Sequence, residues 1–179
     1  MTHEEFAQAA QHWQNRDAAG RKMERGALLE AAQAFLAARR TCALATASGE
    51  FVRCTPLEYG WHDGALWIFS EGGQKFAALE HNRNVCVAVF DGYDGMGSLN
   101  GMQITGTAEI AVPFGAEYLR AAACKNIPVE ALRKLPFVMN LIKITPQKME
   151  LLCSDFRRQG FDSRQTLVLG GDAAGGEAQ

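Results

Sequence analysis

The segment Ser70-Glu-Gly-Gly-Gln-Lys75 sets a hydroxyl, two glycines and an amine just ahead of a helix-like stretch, Gln74–His81. Each type has a use at an anion site. Glycine lets the backbone come close to a ligand. The first turn of a helix offers unpaired N–H groups and the positive end of its dipole. Lysine adds a full charge. A phosphate would suit all three. A plain turn carrying a solvated lysine uses the same residues, and spacing alone leaves the two readings level. Arg53, within Phe51–Tyr59, is the second residue of interest. The two-residue strand period puts Phe51, Thr55, Leu57 and Tyr59 on its face. Strand arginines usually lie on solvated edges; one on a largely apolar face needs a specific partner, and the planar guanidinium fork matches a phosphate.

Other chemical signals are weaker. Gly95-Met-Gly-Ser-Leu-Asn-Gly101 has the spacing GxGxxxG without a βαβ unit around it, so it carries little weight as a dinucleotide motif. His3, His12, His62 and His81 have no metal-ligand spacing, and no Ser-His-Asp set follows from residue order. The five cysteines, Cys42, Cys54, Cys86, Cys124 and Cys153, are odd in number and include no CxxC pair. Neither a zinc site nor a disulfide framework is expected, and small core residues of a reducing compartment are. Asp155–Gly160 reads as a charged turn whose Arg157 and Arg158, with Arg164, are solvated or reach a ligand or partner. No catalytic residue emerges.

The elements that must position these groups follow from periodicity. Residues 1–20 are polar and helical in part. Met23–Arg40 carries Leu28, Ala32, Phe35 and Leu36 on one stripe, as a helix does. Short strands with hairpin turns come next: Thr41–Thr46, Phe51–Tyr59, Tyr59–Trp61 and Ala65–Ser70, with Ser48-Gly49 and Asp63-Gly64 at the corners. Val85–Phe90 is a continuous apolar strand, Asp91–Gly101 a Gly-rich loop, and Met102–Val112 alternates cleanly between apolar and polar. Phe114–Lys125 and Val129–Leu135 read as helices. Asn140–Ile144 and Lys148–Leu152 read as two strands either side of Pro146, and Gly170–Gln179 has the composition of a disordered tail. Short strands with a few helices outside them predict an antiparallel barrel.

Bulk properties narrow the classes. The chain has 179 residues, 47% hydrophobic and 21% charged, enough for one sizeable core. Its formal net charge of −2 gives no electrostatic footprint for nucleic acid. No apolar run reaches membrane-spanning length and no signal-peptide pattern opens the chain, so a soluble, cytoplasmic protein is expected.

Taken in order, the strand pair and helix "TCALATASGEFVRCTPLEYGWHDGALWIFSEGGQKFAALEHNRNVCVAVFD", the Gly-rich loop and "GMQITGTAEIAV" resemble the FMN-binding split-barrel family, also called pyridoxamine 5′-phosphate oxidase-like. The resemblance covers about Leu28 to Leu152. It implies a mainly β fold with flanking helices: a six-stranded antiparallel split β-barrel over residues 23–155, with a helical extension at 1–22 and a partly disordered tail at 156–179. It further implies a homodimer with FMN between protomers, no nucleic-acid or membrane partner, and a small-molecule substrate. By position, Arg53, Ser70 and Lys75 would hold the FMN phosphate. Cys54, Thr55, Pro56, Ile68 and Phe69 would line the ring edge, and Gln103 would reach the flavin from the partner subunit. The oxidase's Trp- and Arg-containing C-terminal substrate motif is missing, since the tryptophans are Trp13, Trp61 and Trp67. An FMN-dependent oxidoreductase is the leading expectation. A non-catalytic flavin-binding module, a deazaflavin-dependent reductase and a haem-binding protein using His12 or His62 are the alternatives.

Overall fold

The structure is a computed structural model and describes residues 1–170. Helices α1 (His3–Ala18) and α2 (Arg25–Ala37) lead into strands β1 (Thr41–Ser48), β2 (Phe51–Glu58), β3 (Gly60–His62) and β4 (Ala65–Ser70). Helix α3 (Lys75–His81), strand β5 (Asn84–Phe90), strand β6 (Asn100–Ala111), helices α4 (Ala116–Cys124) and α5 (Val129–Arg133), and strands β7 (Asn140–Cys153) and β8 (Arg164–Val168) follow. The strands form one antiparallel sheet in the order β2-β1-β5-β6-β7-β4-β3, with β8 paired to β7. The sheet curls until β2 approaches β4 without sharing a ladder. The fold is a split barrel with flanking helices, as expected, but its sheet has eight strands rather than six.

Two of the differences arise after the Gly-rich loop. Asn140–Ile144 and Lys148–Leu152 are not separate strands. They are parts of β7, which runs through Pro146 because a bulge between Thr105 and Gly106 shifts the register there. Proline gives the ladder no N–H, and a bulge is one of the places a strand tolerates it. Gly106 belongs to the same device: a Cβ on it would stand 2.6 Å from the Thr145 carbonyl oxygen. The other difference is β8, in the stretch assigned to the tail. Its Gln165 is wholly buried and clamps the link between α1 and α2. The Oε1 atom accepts the Met23 N–H at 3.0 Å, and Nε2 donates to the carbonyls of Arg21 and Asp162 at 3.1 and 2.7 Å. A buried amide satisfied at both ends is worth keeping, because leaving one end unpaired costs about 1–3 kcal/mol. The expected tail from residue 171 onward lies outside the described residues.

The core follows from the alternation. Leu44, Val87, Ile104 and Met149 point inward from successive strands, and the α2 stripe of Leu28, Ala32 and Leu36 closes over them. Each of the larger side chains among them contributes about 1.5–3 kcal/mol by leaving water. Tyr59 fastens α2 to the strands, its hydroxyl donating to the Leu36 carbonyl at 2.8 Å. A second, smaller cluster lies behind β4 and β7, where Trp67 and Leu141 meet Tyr118, Ala121 and Ala122 of α4. Strand β4 is therefore covered on both faces, which is why Ala65–Ile68 reads as a continuous apolar run. Helix α1 differs from the rest. A capping box between Thr2 and Glu5 opens it, yet its described side chains are exposed except Asp17, which is half-buried.

Candidate functional site

The corner between β4 and α3 is built by backbone that only glycine adopts easily. Gly72 and Gly73 have φ of 146° and 104°, and a Cβ on Gly72 would meet nothing within 4 Å, so the chain there faces open space. Ser70, at the end of β4, is buried; its Oγ accepts the Gly72 N–H at 3.3 Å and donates to the Gly72 carbonyl at 3.2 Å. Lys75 begins α3 and is only 5% exposed. Its Nζ donates to the Gly72 carbonyl oxygen. No ion pair with a carboxylate is found for it among the described residues. Burial, and after it the neighbouring Arg53 charge, hold the Lys75 amine below its ordinary pKa.

Arg53 arrives from β2. It pairs in register with Thr46 of β1, and its Nη1 donates to Gln74 Oε1 at 3.0 Å. Helix α3 packs over β1 and β2, which brings Arg53, Gln74 and Lys75 to one place. Beneath them, on the inward face of the same two strands, the hydroxyls of Thr46 and Thr55 are buried without a hydrogen-bond partner. Two cations, one buried and neither matched by an acid among the described residues, thus stand over open glycine backbone. A phosphate fits this donor set: it supplies the missing negative charge and would restore the depressed lysine pKa. Because α3 has only seven residues, the two side-chain cations, not the helix dipole, make the anion site.

The expected ring contacts do not all gather here. Thr55 shares the inward face with Arg53, whereas Cys54 and Pro56 alternate to the outward face and are exposed. Ile68 is wholly buried in the main core, and Phe69 packs edge-on against Tyr118 with ring centroids 5.2 Å apart. Both side chains serve packing because β4 is an interior strand. Gln103 is exposed on the outward face of β6. Its register runs through Ala88 and Ala43 to Pro56 on one side and through Glu150 to Thr166 on the other, so Gln103 and Pro56 lie in one row, three strands apart. The next row carries Cys54, Ala45, Cys86 and Thr105. This outward face is low and apolar in the middle, and it leaves Val52 73% and Phe90 67% exposed.

Sequence reasoning missed Gln74 and Thr46. Gln74 lies inside the segment that drew attention, between the glycines and Lys75. Thr46 had no signal of its own; only its register opposite Arg53 brings it to the corner. The histidines proposed as haem ligands lie elsewhere. His12 is exposed on α1. The His62 ring stacks on Trp67 at 4.8 Å with its Nε2 buried and unpartnered, so that atom does not face an open site. Among the described residues no cluster of His, Cys, Asp or Glu is arranged to hold a metal, and no helix is long and apolar enough to cross a membrane.

Comparisons with known proteins agree with this architecture. Residues 28–153 match the family model described as pyridoxamine 5′-phosphate oxidase. No curated protein matches the chain in sequence. Among solved structures, a FAD-binding protein from Mesorhizobium loti is similar at 21% identity and a TM-score of 0.56, covering 68% of this chain and 89% of its own. HutZ, a haem storage protein from Vibrio cholerae, is 14% identical with a TM-score of 0.55 over 69% of this chain and 91% of its own. ChuZ from Campylobacter jejuni is 13% identical with a TM-score of 0.63 over 88% of this chain and 68% of its own. At these identities the likeness concerns the fold.

Proposed function

The chain belongs to the pyridoxamine 5′-phosphate oxidase family, and from that premise we propose that it is an FMN-dependent oxidoreductase acting on a small molecule as a homodimer. The observation that carries the reading is Lys75: a buried amine with no carboxylate partner among the described residues, beside Arg53 and over Gly72 and Gly73. Arg53 and Lys75 would hold the FMN phosphate, and Ser70 would support the turn that presents Lys75. When bound, FMN supplies the redox chemistry; the chain's residues supply anchoring and orientation. No protein nucleophile is required.

Distance supports the dimer, given a flavin that meets both Arg53 and a Gln103. Gln103 is three strands away from β2, roughly 14 Å at about 4.7–4.9 Å per strand, and it points to the opposite face from Arg53. One ligand does not reach both within a single chain. A second copy covering the outward face would bring its own Gln103 toward this corner, while Val52, Cys54 and Phe90 would leave water.

Haem is the competing reading, favoured by the likeness to HutZ. One absorption spectrum of the purified protein separates them. Flavin gives a band near ~450 nm and haem an intense band near ~400 nm, as general properties of these cofactors. A haem band without flavin would overturn the proposal. Turnover of a reduced nicotinamide with an electron acceptor then separates an enzyme from a flavin-binding module.

A further inference from the structure

Few non-aromatic polar side chains are buried in this chain; among the described residues they are Thr46, Ser70, Lys75 and Gln165. Gln165 finds its partners on the link between α1 and α2 and next to β8. Ser70 is engaged by the Gly72 backbone, and Lys75 by the Gly72 carbonyl. Thr46 differs from these three. Its Oγ1 is buried without a hydrogen-bond partner, and so is Oγ1 of Thr55. A buried hydroxyl left unpaired is destabilising, and valine would fill the same space without that cost.

The two hydroxyls belong to one place. Thr46 stands opposite Arg53 in the β1–β2 register and Thr55 opposite Leu44, so the threonines are diagonal neighbours on one face of the ladder. Arg53 shares that face and donates to Gln74 at the entry to α3. The next residue is Lys75, whose amine feels the Arg53 charge. Helix α3 packs over both strands. The threonines therefore lie on the sheet beneath the two cations of the β4–α3 corner.

We propose that Thr46 is a ligand-binding residue: its hydroxyl, with that of Thr55, donates to an oxygen of the anion that Arg53 and Lys75 hold. The cations approach with charge, and the threonines add two neutral donors from the strands. A hydroxyl carries one hydrogen to give, and a phosphate monoester offers three acceptor oxygens. A phosphate has oxygens enough for both sets of donors, whereas a carboxylate has only two. The inference deepens the reading of this corner as a phosphate site and rests on it, but it does not require that the phosphate belong to a flavin.

Two substitutions in the full-length protein test it. Thr46→Val keeps the shape and removes the hydroxyl; Thr46→Ser keeps the hydroxyl and removes the methyl group. FMN, riboflavin and phenyl phosphate (a phosphomonoester without a flavin) are the probes, with urea midpoints measured on the ligand-free protein. Thr46→Val should weaken FMN and phenyl phosphate about tenfold, as for one lost hydrogen bond to a charged group, and change riboflavin less than about twofold. Its urea midpoint should be no lower than that of wild type, because no unpaired hydroxyl is then buried. Thr46→Ser should bind FMN within about threefold of wild type, since the donor remains, yet unfold at lower urea. That crossing of affinity and stability is not produced by a hydroxyl that serves only the fold. Unchanged FMN binding in Thr46→Val would overturn the proposal and leave water as the hydroxyl's partner. A lower urea midpoint in Thr46→Val with equal loss of FMN and riboflavin would overturn it in favour of a structural role. Phenyl phosphate binding that depends on Thr46, in a protein that binds neither FMN nor riboflavin, would refute the flavin reading and leave this inference standing. Binding of neither FMN nor phenyl phosphate by wild type up to ~10 mM, well beyond the weak-complex range, would refute both.

Discussion

Two sequestered lysines of the same fold are treated in opposite ways. Lys143, on β7, is held by Glu117 of α4 at 2.6 Å and by Glu109 of β6 at 3.7 Å, and its Nζ lies 5.4 Å from the centre of the Trp67 ring. The hydrogen bond that Lys143 donates to Glu117 leads the effects that raise its pKa. Lys75 has a carbonyl for a partner and an arginine for a neighbour, and its pKa is lowered. The charge of Lys143 is spent inside the chain, fixing α4 to the sheet. The charge of Lys75 is left over, and a charge buried without its complement destabilises the protein until something supplies one. That difference separates a cation kept for structure from one kept for a ligand.

The largest effect should come from removing the unmatched charge. Lys75→Met and Arg53→Gln should each weaken FMN about ten- to hundredfold, since a charge-assisted hydrogen bond is worth roughly 1.5–3 kcal/mol, while riboflavin, which lacks the phosphate, should change little. Fluorescence titration of both ligands checks this. Lys75→Met should also unfold at no lower a denaturant concentration than wild type when flavin is absent. Equal loss of FMN and riboflavin would mean that the corner acts through folding.

The comparison can also be broken by giving Lys75 what Lys143 has. Gln74 already accepts a bond from Arg53 at 3.0 Å. Gln74→Glu would place a carboxylate against both cations and compete with the phosphate. FMN affinity should drop about tenfold or more, because one lost charge-assisted bond is worth roughly that, and the flavin-free protein should become more resistant to urea. Unchanged FMN binding would show that the phosphate lies elsewhere.

How far this contrast could be read from the chain is instructive. An antiparallel barrel follows from local alternation and hairpin turns, its split form from the family resemblance, and the corner from Ser70–Lys75 alone, because glycines and a lysine before a helix are a local pattern. Lys75 and Lys143 look alike in sequence, since their surroundings come from other elements: Arg53 from β2, Glu117 from α4. The same holds for Cys54 and Pro56, which adjoin Thr55 in the chain but face the other side of the sheet. Strand β8 was lost because Arg164–Val168 is short and follows a charged turn, so its only signature is a partner strand. β7 reads as two strands because Pro146 is a strand breaker everywhere except at a bulge, and the bulge, where Gln147 of β7 has no register partner on β6, shows only in the pairing of the two strands.

Alkaline titration sharpens the contrast through signs. The folded pKa of Lys75 is below its ordinary 10.5, so the unfolded chain binds more protons in that window and the residue's contribution to stability rises as pH climbs toward 10.5. For Lys143 the folded pKa is raised, so its contribution is full below 10.5 and is lost above it. Burial pushes Cys42 and Tyr59 up to about 12 from 9.0 and 10.0, and their contributions also fall as pH rises past those lower values. Wild-type stability should therefore fall above about pH 9, the ordinary range of a thiol. The margin of flavin-free wild type over Lys75→Met should nonetheless improve between pH 8 and 10. Urea midpoints across that range check it, and a margin that shrinks would contradict the assignment of Lys75 as an unmatched cation. With FMN bound, the improvement should vanish, because the phosphate holds the amine protonated.

The smallest effect concerns the matched lysine. Lys143→Gln removes two ion pairs whose acids, Glu109 and Glu117, remain 65% and 45% exposed. Partly exposed pairs are typically worth about 0.2–1 kcal/mol, because water recovers most of what the partner gave. Added to this is the stem of Lys143 over Trp67, whose loss glutamine only partly makes good. The variant should lose no more than about 1–2 kcal/mol of stability on these terms, seen as a small fall in the urea midpoint. FMN affinity should stay within about twofold, as expected for a distant site with no shared partner. If Lys143→Gln instead weakened FMN as much as Lys75→Met, the two cations would belong to one electrostatic unit. The separation drawn here between a charge spent on packing α4 and a charge held for phosphate would then fail.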